Sequence, residues 1–180
     1  MNMKSFVPAI FSSTLLASGL AMAATDGSMG AGAGASSTGS AVITLNVPDL
    51  IKISDMNDMT INQGNSFSAT DNVCVFRNLA GGYGVVAQSS NDANGAGTSG
   101  AFTLSDGGTS EVNYSVTWDG TPLTEDTAET GLTSSNTTEA NCQTSGPNVA
   151  LGVSATENQV GAATTATDHT DTLTVIITAE

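Results

Sequence analysis

Basic side chains are nearly missing from this chain of 180 residues: three Lys and Arg stand against seventeen Asp and Glu, a formal net charge of −14. Neutralising phosphates takes clustered Lys and Arg, so nucleic acid and anionic lipid are excluded as natural partners. Histidine is reduced to His169, and cysteine to Cys74 and Cys142. With one His, no closely spaced second Cys and no G-x-S-x-G or H-E-x-x-H motif, neither a hydrolase triad nor a zinc site assembles. We expect no enzyme activity, no catalytic residue, no metal site and no cofactor. A His169–Asp168 acid/base pair is the one catalytic alternative, and a surface His beside a terminal strand explains the residue more simply.

Aromatic residues are few, and Glu, Lys, Arg and Leu, the usual helix formers, are scarce. Thr, Ser, Gly, Ala, Asn and Val dominate instead, which is an all-β profile. A long hydrophobic run is found only at the start. Met1–Lys4 carries one positive charge, Phe6–Leu20 is apolar or small, and Ala21-Met22-Ala23 before Ala24 has the small-residue pattern of a signal peptidase site. Pro8, Ser12, Ser13 and Gly19 interrupt the run, which falls short of the roughly 20 strongly apolar residues of a spanning helix. Residues 1–23 therefore read as a cleaved signal peptide, and no later run is long or apolar enough to span a membrane. The exported chain keeps Lys52 and Arg77 against all seventeen acidic residues, a net charge of minus fifteen. Such acidity favours solubility.

Export implies an oxidising compartment, so Cys74 and Cys142 are expected to pair as a disulfide. The loop of about 68 residues that the bond closes corresponds to about 4 kcal/mol in the chain-entropy estimate. Two buried free thiols are the alternative.

Residues 24–40, rich in Gly, Ala and Ser, read as a flexible linker, and residues 41–180 as one β domain. Ala41–Val47 alternates, with Ile43, Leu45 and Val47 on one face and Val42, Thr44 and Asn46 on the other, before Pro48 interrupts pairing. Further strands are expected at Leu50–Ile53 with Met59–Ile61, Val73–Phe76, Tyr83–Ala87, Phe102–Leu104, Val112–Trp118, Val149–Val153 and Leu173–Thr178. Residues 119–146 read as a long exposed excursion pinned by Cys142. Many short alternating strands without helical period point to an immunoglobulin-like β-sandwich. Asp106-Gly107-Gly108 reads as a turn, and so does the glycine-rich LAGGYG stretch, because no helix follows to make it a phosphate cradle. Asp49, Asp55, Asp58 and Asp71, and separately Asn91–Gly95, offer oxygen ligands for Ca²⁺, with solvated turns as the simpler account. Trp118, Tyr83 and Tyr114 could stack on a sugar, although core packing explains so few aromatics more simply.

Two segments, GSAVITLNVPDLIKIS and DHTDTLTVIITAE, resemble the pilin-type subunits of the spore coat U family, which belong to the archaic chaperone–usher pathway. Asp168, Asp171, Thr172, Leu173 and Val175 match that family's D-x-x-D-T-[LV]-x-V ending, which forms its last core strand; Leu173, Val175 and Ile177 would then face the core. The resemblance implies a sandwich that lacks its final strand. A periplasmic chaperone lends one, and at an outer-membrane usher the N-terminal extension of the next subunit replaces it. Ile43, Leu45 and Val47 would be the donor residues, and burying them would contribute about 5–9 kcal/mol. The implied product is a structural or adhesive subunit of a bacterial surface fibre, exported through the periplasm to the cell surface. Two readings stay open: Ala41–Val47 as the first strand of its own domain, and the protein as a stand-alone secreted binding module for Ca²⁺ or carbohydrate.

Overall fold

The computed structural model describes residues 24–91 and 100–180. The signal-peptide reading of residues 1–23 and the Asp92–Gly95 part of the Ca²⁺ loop lie outside the described residues. The chain divides into two units, the second beginning at Pro48.

In the first unit every described residue is exposed. Thr25 and Ser40 exchange a pair of main-chain hydrogen bonds of 3.0 Å and share a 2.7 Å hydroxyl contact, closing the Gly/Ala/Ser stretch into a loop. Ala41–Val47, expected as a strand, belongs to no ladder.

The second unit is all-β. Its strands are β1 (Ile51–Ser54), β2 (Ser68–Arg77), β3 (Tyr83–Ser89), β4 (Thr103–Ser105), β5 (Glu111–Asn113), β6 (Ser115–Trp118), β7 (Thr121–Pro122), β8 (Glu129–Leu132), β9 (Val149–Ser154) and β10 (Leu173–Ala179), with one short helix, α1 (Glu157–Gly161). Five strands form a sheet in the order β1-β2-β9-β6-β7, three another in the order β10-β3-β8, and β4 and β5 a hairpin. All these pairings are antiparallel.

Local chemistry explains most boundaries. Asp119 and Gly120, both with positive φ, form the two-residue turn between β6 and β7, the backbone twist that suits a tight hairpin. The expected Asp106 turn joins β4 to β5: Asp106 Oδ1 accepts from the Gly108 amide at 2.8 Å, and Gly107 has positive φ. Asn62 and Asn65 cap each other around a 3-10 turn at Gln63–Asn65, and Thr156 caps α1.

Both sheets feed one core. Val73, Val75, Val116, Trp118 and Leu151 come from the larger sheet, and Tyr83, Val85 and Ala87 from the smaller. Trp118 is fully buried and donates its indole N–H to the Tyr83 hydroxyl at 3.0 Å, so the bulkiest side chain leaves no polar atom unpaired. Burial pushes the Tyr83 phenol up from its ordinary value.

The second unit also departs from the expected elements: Val112–Trp118, expected as one strand, is broken at Tyr114 into β5 and β6, which belong to different sheets. Met59–Ile61 alternates inward and outward but joins no ladder, so it does not continue β1. The β2 strand begins five residues before Val73, because its polar half Ser68–Asn72 pairs with β9. Residues 119–146 are no bare excursion: they contribute β7, β8 and the buried Leu123 and Glu125.

Candidate interaction site

β10 lies at the outer edge of the three-stranded sheet and pairs along its whole length with β3, from Leu173↔Ser89 to Ala179↔Tyr83. Its other edge has no partner strand among the described residues. Thr174, Ile176 and Thr178 point outward and are exposed. Leu173, Val175 and Ile177 point inward as expected, yet each stays half-buried, whereas the facing β3 residues Val85 and Ala87 are fully buried. β1, the edge of the five-stranded sheet, approaches β10 with half-buried Ile51 and Ile53. At the start of β10 a cleft of about 290 Å³ is lined by Met59, Ile61, Leu104, Tyr114, Leu151 and Leu173, with no residue of β1 in its wall. A second opening of about 740 Å³ shares Met59, Ile61 and Leu104, and extends past Phe67 toward Val160. Aliphatic side chains of two sheets thus line an unfilled seam beside a free strand edge.

Ile43, Leu45 and Val47 have the complementary property. They are 94%, 82% and 53% exposed, an apolar alternating row with nothing covering it.

Asp171, one residue inside the motif at the chain's end, fixes the start of β10. Its carboxylate accepts from the Tyr114 hydroxyl at 2.6 Å, the Ser89 hydroxyl at 2.7 Å, and the Ser90 amide and hydroxyl at 2.8 Å each. Burial, reinforced by the Asp171 carboxylate, pushes the Tyr114 phenol far up, so it remains a hydrogen-bond donor.

At the other end of β10 sits Arg77, one of only three basic residues of the chain and a buried one. Its guanidinium donates to both oxygens of Asp49, at 3.1 and 2.6 Å, to the Glu180 main-chain oxygen at 2.7 Å, and to the Gly82 carbonyl. The bonds from Arg77 hold the Asp49 carboxyl below its usual range. A planar fork with fixed donors suits this several-way junction as an ammonium would not.

Cys74 and Cys142 form the expected disulfide, with a Cα–Cα distance of 5.9 Å. It ties residues 133–148 to the half of β2 that β9 does not reach. There Asn148 stands in for a strand, its amide oxygen accepting from the Val75 amide and its amide nitrogen donating to the Val75 carbonyl. The Thr144 and Ser145 amides bind Glu139 and lower its pKa.

The remaining candidates stand apart. His169 bonds the Thr167 carbonyl through Nδ1 and the Ser110 hydroxyl through Nε2, each at 2.8 Å, and pairs with no Asp among the described residues. Asp49 is engaged by Arg77 and Asp71 by Asn57, and among the described residues no group of His, Cys, Asp or Glu could hold a metal ion. Trp118 and Tyr83, fully buried, offer no face to a sugar. No helix among the described residues is long and apolar enough to cross a membrane. No protein-family model matches the chain, and no curated protein matches it either.

Sequence reasoning missed Arg77, although a lone Arg in so acidic a chain is itself a signal. It also missed Met59 and Ile61 as lining of the seam, because they resemble a continuation of β1.

Proposed function

We propose that the two sheets form an immunoglobulin-like sandwich without its last strand, and that the protein is a structural or adhesive subunit of a bacterial surface fibre. Export leads through the periplasm, with a chaperone and an outer-membrane usher as partners, as the resemblance to the spore coat U family implies. Subunits join by strand exchange, Ile43, Leu45 and Val47 of one copy adding along the outer edge of β10 of the next and entering the cleft at its start. One observation carries this reading: an alternating aliphatic segment lies bare in the same molecule whose terminal strand has an unpaired edge and half-buried inward side chains. Exposed apolar rows and free strand edges both favour association, and each supplies what the other lacks.

The test uses the exported chain purified without a chaperone. It is expected to form ladders that resist sodium dodecyl sulfate, and removal of residues 25–47 is expected to abolish joining. A chain that stays monomeric, and folds equally well after the deletion, would instead be a stand-alone secreted module.

A further inference from the structure

The only salt bridge of the described residues occupies an unexpected place. Arg77 is buried, with its side chain 6% exposed, and its partner Asp49 lies two residues after Val47. The next residue of β2's end, Asn78, grips the same stretch: its side-chain oxygen accepts from the Leu50 amide at 2.7 Å and its side-chain nitrogen donates to the Pro48 carbonyl at 2.8 Å. The root of the apolar segment, residues 48–50, is thus held by two side chains from one strand end. The same guanidinium reaches the Glu180 main-chain oxygen, at the end of β10, and the Gly82 carbonyl, which also accepts from the Glu180 amide at 3.0 Å. Gly81 makes room for it, since a Cβ there would lie 2.5 Å from Arg77 Nη1.

We infer that Arg77 is a positioning residue of the fibre joint: with Asp49 and Asn78 it couples the root of the donor segment to the end of the strand that borders the acceptor seam. The inference rests on the strand-exchange reading. Within one subunit, tension entering through residues 41–47 passes at Asp49 into Arg77 and from there into β10, the strand that holds the next subunit's donor. Without the ion pair Asn78 alone holds the root and each joint bends more easily, while the donor residues and the seam are untouched. A bidentate pair between a buried guanidinium and a carboxylate is the kind of contact that resists such hinging.

Two variants of the exported chain separate this role from simple support of the fold. Asp49→Ala removes both acceptors, and Gly81→Ala drives a methyl group into the guanidinium while leaving Arg77 and Asp49 in place. Hydrogen exchange is read over residues 49–52 and over β2 and β9, and fibre persistence length by electron microscopy. The expected result is amide exchange about tenfold faster at residues 49–52 in both variants, unchanged protection in β2 and β9, ladders formed as before, and fibres of shorter persistence length. Asp49→Glu is expected to restore part of the stiffness. Unchanged exchange at the root, protection lost evenly across the domain, or unaltered stiffness in fibres of both variants overturns the inference. If the unmutated chain stays monomeric, strand exchange fails, and with it the role in the joint. The local exchange measurement then still decides whether Arg77 fixes the root.

Discussion

Ala41–Val47 and Leu173–Ala179 are written in the same pattern, aliphatic residues alternating with small or polar ones, yet they end in opposite conditions. The later segment is β10, in antiparallel register with β3 along its whole length and anchored at its start by Asp171 and at its end by Arg77. The earlier one joins no ladder, and its best apolar residues, Ile43 and Leu45, are almost wholly exposed. Intrinsic preference for the extended state therefore does not decide which of two strands is paired. Partners do: among the described residues β10 has a neighbouring strand on one side, and Ala41–Val47 has none.

The comparison can be pressed hardest on the side of the molecule that is already closed. Replacing Cys74 and Cys142 together by Ala is expected to cost about 4 kcal/mol in denaturant unfolding, because the bond closes a loop of 68 residues and leaves β2 tied to residues 133–148 by hydrogen bonds alone. A midpoint close to that of the unmodified chain would mean that the Asn148 and Asn136 contacts suffice.

The two matched segments separate next. Val175→Ala is expected to lower stability by about 1–2 kcal/mol, below the range for a fully buried aliphatic since Val175 is half-buried. Leu45→Ala should shift the folding of the single subunit by no more than about 0.5 kcal/mol, as for an exposed position, while weakening the ladders. Equal costs for both would show that Ala41–Val47 is packed in the isolated chain.

The smallest effect is on pH. Asp49, Asp106 and Glu139 all have carboxyls held below their ordinary values, by Arg77, by Thr165 and the Gly108 amide, and by the Thr144 and Ser145 amides respectively. Depressed folded values mean stability that is complete above the unfolded values, 3.8 for Asp and 4.5 for Glu, and lost as pH falls through the lower folded ones. Thermal unfolding is therefore expected to be flat from neutral pH to about 5 and to fall below it, with the Asp49→Ala chain losing less over that interval. A decline that begins near neutrality would mean that groups other than these three carboxyls carry the loss.

How much was legible follows from which residues speak for themselves. The disulfide could be read from the presence of just two cysteines, the Asp106 turn from its glycines, and the inward face of β10 from strict alternation. Arg77 could not be placed, since nothing local says that one cation will be buried against residues 28 and 103 positions away. Residues 119–146 were read as exposed because they hold few apolar side chains; burial of Leu123 and Glu125 depends on β6, β7 and β3 meeting there. Met59 and Ile61 show the limit most plainly. Their alternation marks them as inward-facing, but pairing is a relation between segments, and no neighbour comes to them.

Composition and period alone determined that this chain makes strands and carries one covalent cross-link. Those are local or countable properties, set by side-chain shape and type. Which strands stand at the edges, which apolar row stays bare, and where the single buried Arg finds its carboxylate were decided only by the tertiary structure. Each of these depends on contacts between residues far apart in the chain.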